Sequence, residues 1–173
     1  GVHILAAPSS PENAEKITAE QFTRVLRQMQ QMYAYVIVDA SAHLTDITLS
    51  VIDLCDAIIL ITMQDIPSIK NSRIFLDLLQ TLSVPAQKVT FVMNRFDKRI
   101  PITPERISAN IRQKISAIIP LDEQTVINAV NKGVPFMVDN KNTPAAKGIL
   151  SVAEALKETL LSRESEVSGK SLR

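Results

Sequence analysis

Four places in this chain set polar side chains at the ends of apolar runs. In the first, Tyr35-Val36-Ile37-Val38 is followed by Asp39. Four apolar or aromatic residues and then a carboxylate make the Walker B pattern, and a carboxylate so placed can hold Mg²⁺ or its water shell beside phosphates. An Asp at a strand end can equally cap the next turn through nearby backbone groups. In the second, Phe91-Val92-Met93 leads into Asn94-Arg95. An Asn amide offers one donor edge and one acceptor edge, which suits the edge of adenine, and turn formation is the competing use of the same residue. In the third, Ile118-Ile119 leads into Pro120-Leu121-Asp122. Ligands of open parallel sheets bind outside the carboxyl ends of the strands, so these positions, with Met63-Gln64-Asp65 behind a further run, are where a site would lie.

A phosphate cradle is the missing part. Backbone N–H groups approach an anion closely where glycines cluster. The 173 residues hold only four, Gly1, Gly133, Gly148 and Gly169, against roughly 12 at average usage. No two lie within ten residues of each other, so the chain carries neither a Walker A loop nor a dinucleotide fingerprint.

The elements that must position these residues alternate in period. Short apolar runs at Val2–Ala7, Tyr35–Asp39, Ala57–Met63, Lys88–Met93 and Ser116–Ile119 read as strands, three of them apolar enough for burial on both faces. Between them lie helical patterns. Phe22, Val25, Leu26, Met29 and Met32 share a face near 18–33, and Ile47 to Leu54 form a second helix. A third starts near Asp65 with Pro67 in its first turn. Ile107, Ile111 and Ile115 predict a fourth, and a fifth opens at the N-cap Asp122 and closes at Gly133. Ala145 to about Leu161 makes the last helix, and 162–173 reads as a flexible tail. Strand and helix in alternation predict an α/β domain with a doubly wound, mostly parallel sheet flanked by helices.

Composition narrows the class. With 46% hydrophobic residues the chain can build a core, and Lys+Arg 19 against Asp+Glu 18 leaves a net charge of +1. Overall charge therefore points to neither nucleic acid nor an anionic membrane. The basic residues between Arg95 and Lys114 have no interleaved aromatics and read as a solvated face, so DNA is not the expected partner. His43 reads as a polar loop residue and Cys55 as a buried small hydrophobe. A single Cys suits a reducing, cytoplasmic setting. No apolar run has the ~20 residues of a membrane span. The Gly1 start suggests a fragment or a processed chain.

The order of motifs resembles the ParA/MinD-type ATPases, and within them the CpaE/TadZ branch that serves Flp-type pilus assembly. The resemblance is carried by Gly1–Pro8 with Pro11-Glu12, Tyr33–Asp39, Leu49–Asp56, Ile66–Arg73, Val92–Phe96, Ile119–Asp122 and Ala129–Pro135. It spans about residues 1–160. It implies a P-loop NTPase-like fold, N-terminally incomplete, with 1–161 as the C-terminal part of the ATPase domain. It further implies ATP and Mg²⁺ as cofactors of the parent protein, with Asp39 as the Walker B acid, both catalytic and near the metal. By the same resemblance Asn94 hydrogen-bonds adenine with Arg95 beside the base, and Pro120 and Asp122 border the pocket, chiefly through backbone. Expected partners are a second copy of the chain and pilus-assembly proteins, with recruitment to the cell pole.

Two departures stand out. The family's Walker A loop and switch I aspartate lie upstream of the first strand here, so the chain alone is expected to be inactive. After Asp39 the chain reads Ala40-Ser41-Ala42-His43 where many relatives carry a Pro-and-Gly switch, which places hydrolysis in doubt and raises the alternative of a non-catalytic scaffold. A receiver domain also sets an Asp at a strand end, but Ala6–Ser9 and Asn94-Arg95 lack its acidic pair and its Lys. Removal of an interior strand would also leave apolar edges uncovered.

Overall fold

The computed structural model describes residues 1–8, 10–41 and 43–170, without the side chains of residue 11 and of 162–170. Ala42 of the altered switch falls outside the described residues. The chain divides into two compact units, Gly1–Cys55 and Asp56–Arg173.

The first unit is helical. A short α1, Pro11–Ala14, precedes α2, Ala19–Met32. The start of α2 is fixed by a capping box: Thr18 Oγ1 accepts the Gln21 N–H, and the Gln21 Oε1 accepts the Thr18 N–H, meeting two donors the helix itself cannot satisfy. α3, Asp46–Leu54, is capped by Thr45, whose hydroxyl accepts the Thr48 N–H. Gln30 Nε2 reaches the Leu54 carbonyl, and Leu26 and Ile52 are buried. Cys55 is the half-buried C-cap of α3, outside the apolar helix expected to bury it.

Two expected strands fail here. Val2–Ala7 and Tyr35–Asp39 belong to no described ladder, and several of their apolar side chains are exposed, Ile4 at 86% and Ile37 at 87%, while Val36 and Val38 are half-buried. An extended segment becomes a strand only when a neighbour takes its N–H and C=O groups. No described strand lies in this unit.

The second unit holds a parallel three-stranded sheet in the order β1-β2-β3, from β1 (Ile58–Thr62), β2 (Val89–Phe96) and β3 (Ile115–Pro120). α4, Ile66–Thr81, joins β1 to β2. Asp65 caps it through the Ser68 N–H at 2.8 Å, with Pro67 at its start. α5, Pro104–Ile111, joins β2 to β3. Arg112 in the left-handed region ends α5, so Ile115 opens β3 and does not continue the isoleucine stripe of a longer helix. After β3 come α6 (Glu123–Lys132), α7 (Phe136–Asp139) and α8 (Pro144–Lys170). Asp122 and Gly133 cap α6 as the sequence predicts. α8 outruns the expected stop near Leu161 as helical backbone. The flexibility expected of 162–173 concerns side chains and, at 171–173, backbone outside the described residues.

Helices lie on both faces of this sheet. Phe91 and Met93, fully buried, pack with Ile107 and Ile111 of α5 and with Ile69 and Leu76 of α4. Successive strand residues face opposite ways, and on the other face the Thr90 hydroxyl meets Thr159 of α8 at 3.1 Å. α8 sits close: a Cβ on Gly148 would come within 2.8 Å of the Ile119 Cα and 3.0 Å of the Pro120 Cδ. No helix among the described residues is long and apolar enough to cross a membrane.

Candidate functional site

β2 continues past Met93 to Phe96, so Asn94 and Arg95 lie inside the strand and not behind it. Its pairing with β3 jumps at this point, with Met93 opposite Ile118 and Phe96 opposite Pro120. Asn94 and Arg95 together therefore oppose the single residue Ile119. Such a bulge bends a strand and re-aims its side chains, which is why bulges recur beside binding sites. Arg95 adopts φ 55°, an uncommon conformation for a residue with a Cβ. The Asn94 Oδ1 accepts the Arg95 backbone N–H at 2.9 Å within the bulge. An amide oxygen has two lone pairs, so Asn94, half-buried, keeps one acceptor position, and no described hydrogen bond uses its Nδ2.

The end of β3 closes on the same edge. The Leu121 N–H donates to the Phe96 carbonyl at 2.9 Å, holding Pro120-Leu121 beside the end of β2. Asp122 is committed to structure: its Oδ1 accepts the Thr125 N–H and its Oδ2 the Ala145 N–H, at 3.3 and 3.2 Å. One carboxylate thus caps α6 and ties down the start of α8. Burial works to raise its pKa, yet the hydrogen bonds from Thr125 and Ala145 together outweigh burial and lower it. Arg95 reaches over this turn to Glu123 of α6 at 3.1 Å, with both side chains more than half exposed. An exposed pair of this kind contributes about 0–1 kcal/mol.

Behind the bulge, Asp97 grips Arg99. Its carboxylate accepts from the Arg99 Nε and Nη2 and from the backbone N–H. The side-chain hydrogen bond from Arg99 is the main cause that lowers the Asp97 pKa to about 2.

Asn94, Arg95, Pro120 and Asp122 are thus gathered at the carboxyl edge of β2 and β3. Asp39 belongs to the Gly1–Cys55 unit, where it is exposed and no described hydrogen bond holds it. The nearby His43 is exposed and engaged locally, its Nδ1 3.3 Å from the Ser41 hydroxyl. No group of three or more His, Cys, Asp or Glu that could hold a metal occurs among the described residues. Sequence reasoning missed Glu123, the Asp97–Arg99 pair and the role of Gln64. Only Gln64 left a signal, its place directly behind β1.

The chain is 23% identical to a ParA family ATPase from Chlorobium tepidum and superposes on its structure with a TM-score of 0.77, covering 86% of this chain and 60% of that one. The fold is that of the ParA/MinD ATPases. MinD from Pyrococcus horikoshii, solved with Mg-ADP, matches with a TM-score of 0.71 at 19% identity, over 85% of this chain and 60% of that one. In sequence, the septum site-determining protein MinD of Synechocystis is 20% identical over 163 residues, 88% of this chain and 58% of the relative. No protein-family model matches. The chain therefore spans about three fifths of the length of these proteins, and it resembles them in fold and, distantly, in sequence.

Proposed function

We propose that the chain is the base-recognising part of an ATP-binding, dimerising protein of ParA/MinD type, one that positions Flp-type pilus (Tad) assembly machinery. The observation that carries this reading is the Asn94–Arg95 bulge set against the Pro120–Asp122 turn at the carboxyl edge of a parallel sheet, where ligands of such sheets bind. The residues fit a purine base. Asn94 presents amide donors and one acceptor position, Pro120 supplies an apolar wall beside them, and the Asp122 carboxylate is held in its caps, leaving backbone to face the base. The MinD of Pyrococcus horikoshii was solved with Mg-ADP, which supports the same cofactor class here.

Asp39 is proposed as the acid near Mg²⁺. A single carboxylate suits that ion, which keeps several waters and takes its other ligands from phosphate oxygens. When bound, Mg²⁺ supplies charge neutralisation at the phosphates. The pilus assignment rests on the ordered motifs Leu49–Asp56, Ile66–Arg73 and Ala129–Pro135, and the second copy and the polar site follow from it.

Calorimetry with Mg-ATP on the full-length protein tests the reading. Asn94→Ala should weaken binding by about tenfold or more, as expected when a base loses its hydrogen-bonding partner. The 173-residue chain, without a glycine-rich cradle, should bind far more weakly than the full-length protein. Equal affinity would remove the need for any further phosphate loop. Hydrolysis that disappears on Asp39→Asn would exclude a purely structural scaffold, and full-length protein that never binds nucleotide would overturn the reading.

A further inference from the structure

Backbone pairing between β1 and β2 ends at Thr62 and Met93, one residue before the bulge. Beyond that point a side chain takes over. Gln64 is 6% exposed, and its Oε1 accepts the Asp97 N–H at 2.9 Å. Its Nε2 donates to the Ile102 carbonyl at 2.6 Å and to the Ile100 carbonyl at 3.5 Å. One amide therefore acts as the missing continuation of β1, pairing with the first residue after β2 and with the loop beyond. On the β3 side the Leu121 N–H holds the Phe96 carbonyl.

The bulge is bracketed by these contacts. Met93 is fixed in front by both neighbouring strands, and Phe96 and Asp97 are fixed behind by Leu121 and Gln64. Between them, Arg95 stays in its left-handed conformation, which costs energy and persists only where the surroundings over-determine it. Without the Gln64 amide, the part-buried Asp97 N–H and two loop carbonyls lose a partner, and the extra residue is free to move along the strand. A one-residue shift would turn Asn94 to the opposite face of the sheet.

We propose that Gln64 is a positioning residue for base recognition: its amide fixes where the bulge falls and hence where Asn94 presents its own amide. The inference rests on the base site proposed above. Only Gln has the required set of groups at this length. Glu keeps the acceptor for Asp97 but as a carboxylate has no donor for Ile102, Leu keeps the volume without either, and Asn is one methylene short.

The experiment compares Mg-ATP and Mg-GTP binding to the full-length protein carrying Gln64→Leu or Gln64→Glu, together with hydrogen exchange at the Asp97 amide. Gln64→Leu should lower ATP affinity by about tenfold, the size of one lost hydrogen-bonding arrangement, and leave GTP affinity within about twofold, so the preference for ATP collapses. Gln64→Glu, which retains the Asp97 acceptor, should fall between Leu and the native residue in both base preference and amide protection. A general loss of folding would weaken both nucleotides together. Unchanged preference in both variants, with ATP still bound by the native protein, overturns the role of Gln64 and leaves the base site standing. Unchanged Asp97 protection in Gln64→Leu does the same. Absence of nucleotide binding by the native protein overturns the base site and this role with it.

Discussion

Val36-Ile37-Val38 and Phe91-Val92-Met93 are similar stretches of sequence with opposite fates. Each is an apolar triplet ahead of a polar residue with candidate chemistry, Asp39 or Asn94. In the Asp56–Arg173 unit the triplet is the middle strand of a sheet, and all three side chains have 0% exposure. In the Gly1–Cys55 unit the triplet has no ladder, and Ile37 is 87% exposed. Strand character therefore belongs to the neighbourhood and not to the segment: β-branched residues favour an extended backbone, but hydrogen-bonding neighbours and covering helices make the strand.

Mutations should separate the two regions cleanly. Phe91→Ala removes the largest fully buried side chain and should cost about 3–5 kcal/mol in denaturant unfolding of the Asp56–Arg173 unit. A loss below about 1 kcal/mol would mean that its surroundings collapse to fill the space. Gly148→Ala should cost about 1–3 kcal/mol, since the new methyl meets β3 backbone and not the end of a flexible side chain. The usual helix preference for Ala, about 1 kcal/mol, works the other way, so a stabilised variant would show that α8 can lift off the sheet without penalty. Acid provides a milder probe. Asp97 titrates at about 2 in the folded chain, below the ~3.9 of an unfolded Asp. Its contribution is thus complete above the unfolded value and is lost as pH falls towards and through about 2. An NMR titration should find that value, and Arg99→Ala should raise it only part of the way to the ordinary range, because the backbone N–H of residue 99 still donates to the carboxylate. The smallest effect belongs to the other region. Ile37→Ser should alter the stability of the chain by no more than about 0.5 kcal/mol, whereas a loss comparable to that of Phe91→Ala would show that the Tyr35–Asp39 segment is covered in solution.

Features written into a few adjacent residues were readable from sequence. Asp65 with Pro67, and Asp122 with Gly133, mark helix boundaries because a cap is local chemistry between residues about three apart. The parallel character of the sheet was readable too, since strands buried on both faces are continuously apolar. Ile115 was misassigned because it continues the spacing of Ile107 and Ile111, and only the left-handed turn at Arg112 breaks that rhythm. At the site, Asn94, Arg95, Pro120 and Asp122 were found by position and resemblance, but the bulge that groups Asn94 with Arg95 is a property of register with β3. Gln64 was harder still: its three backbone partners lie 33 to 38 residues away, at no periodicity that a window of sequence can detect.

Gly148 has a mechanical consequence. α8 is a 27-residue helix, about 40 Å long at 1.5 Å per residue. Its first turns, with Ala145 and Ala146 buried and Gly148 against Ile119 and Pro120, are seated on the strand that ends at the candidate site, and Asp122 ties the Ala145 N–H into the same turn. Because Thr159 further along the same helix also meets Thr90 of β2, helix and sheet are joined at two points and not at one. A side chain larger than hydrogen at 148 would prise the two apart where β3 runs into Pro120 and Asp122, so this glycine sets how near the helix can lie to the candidate site.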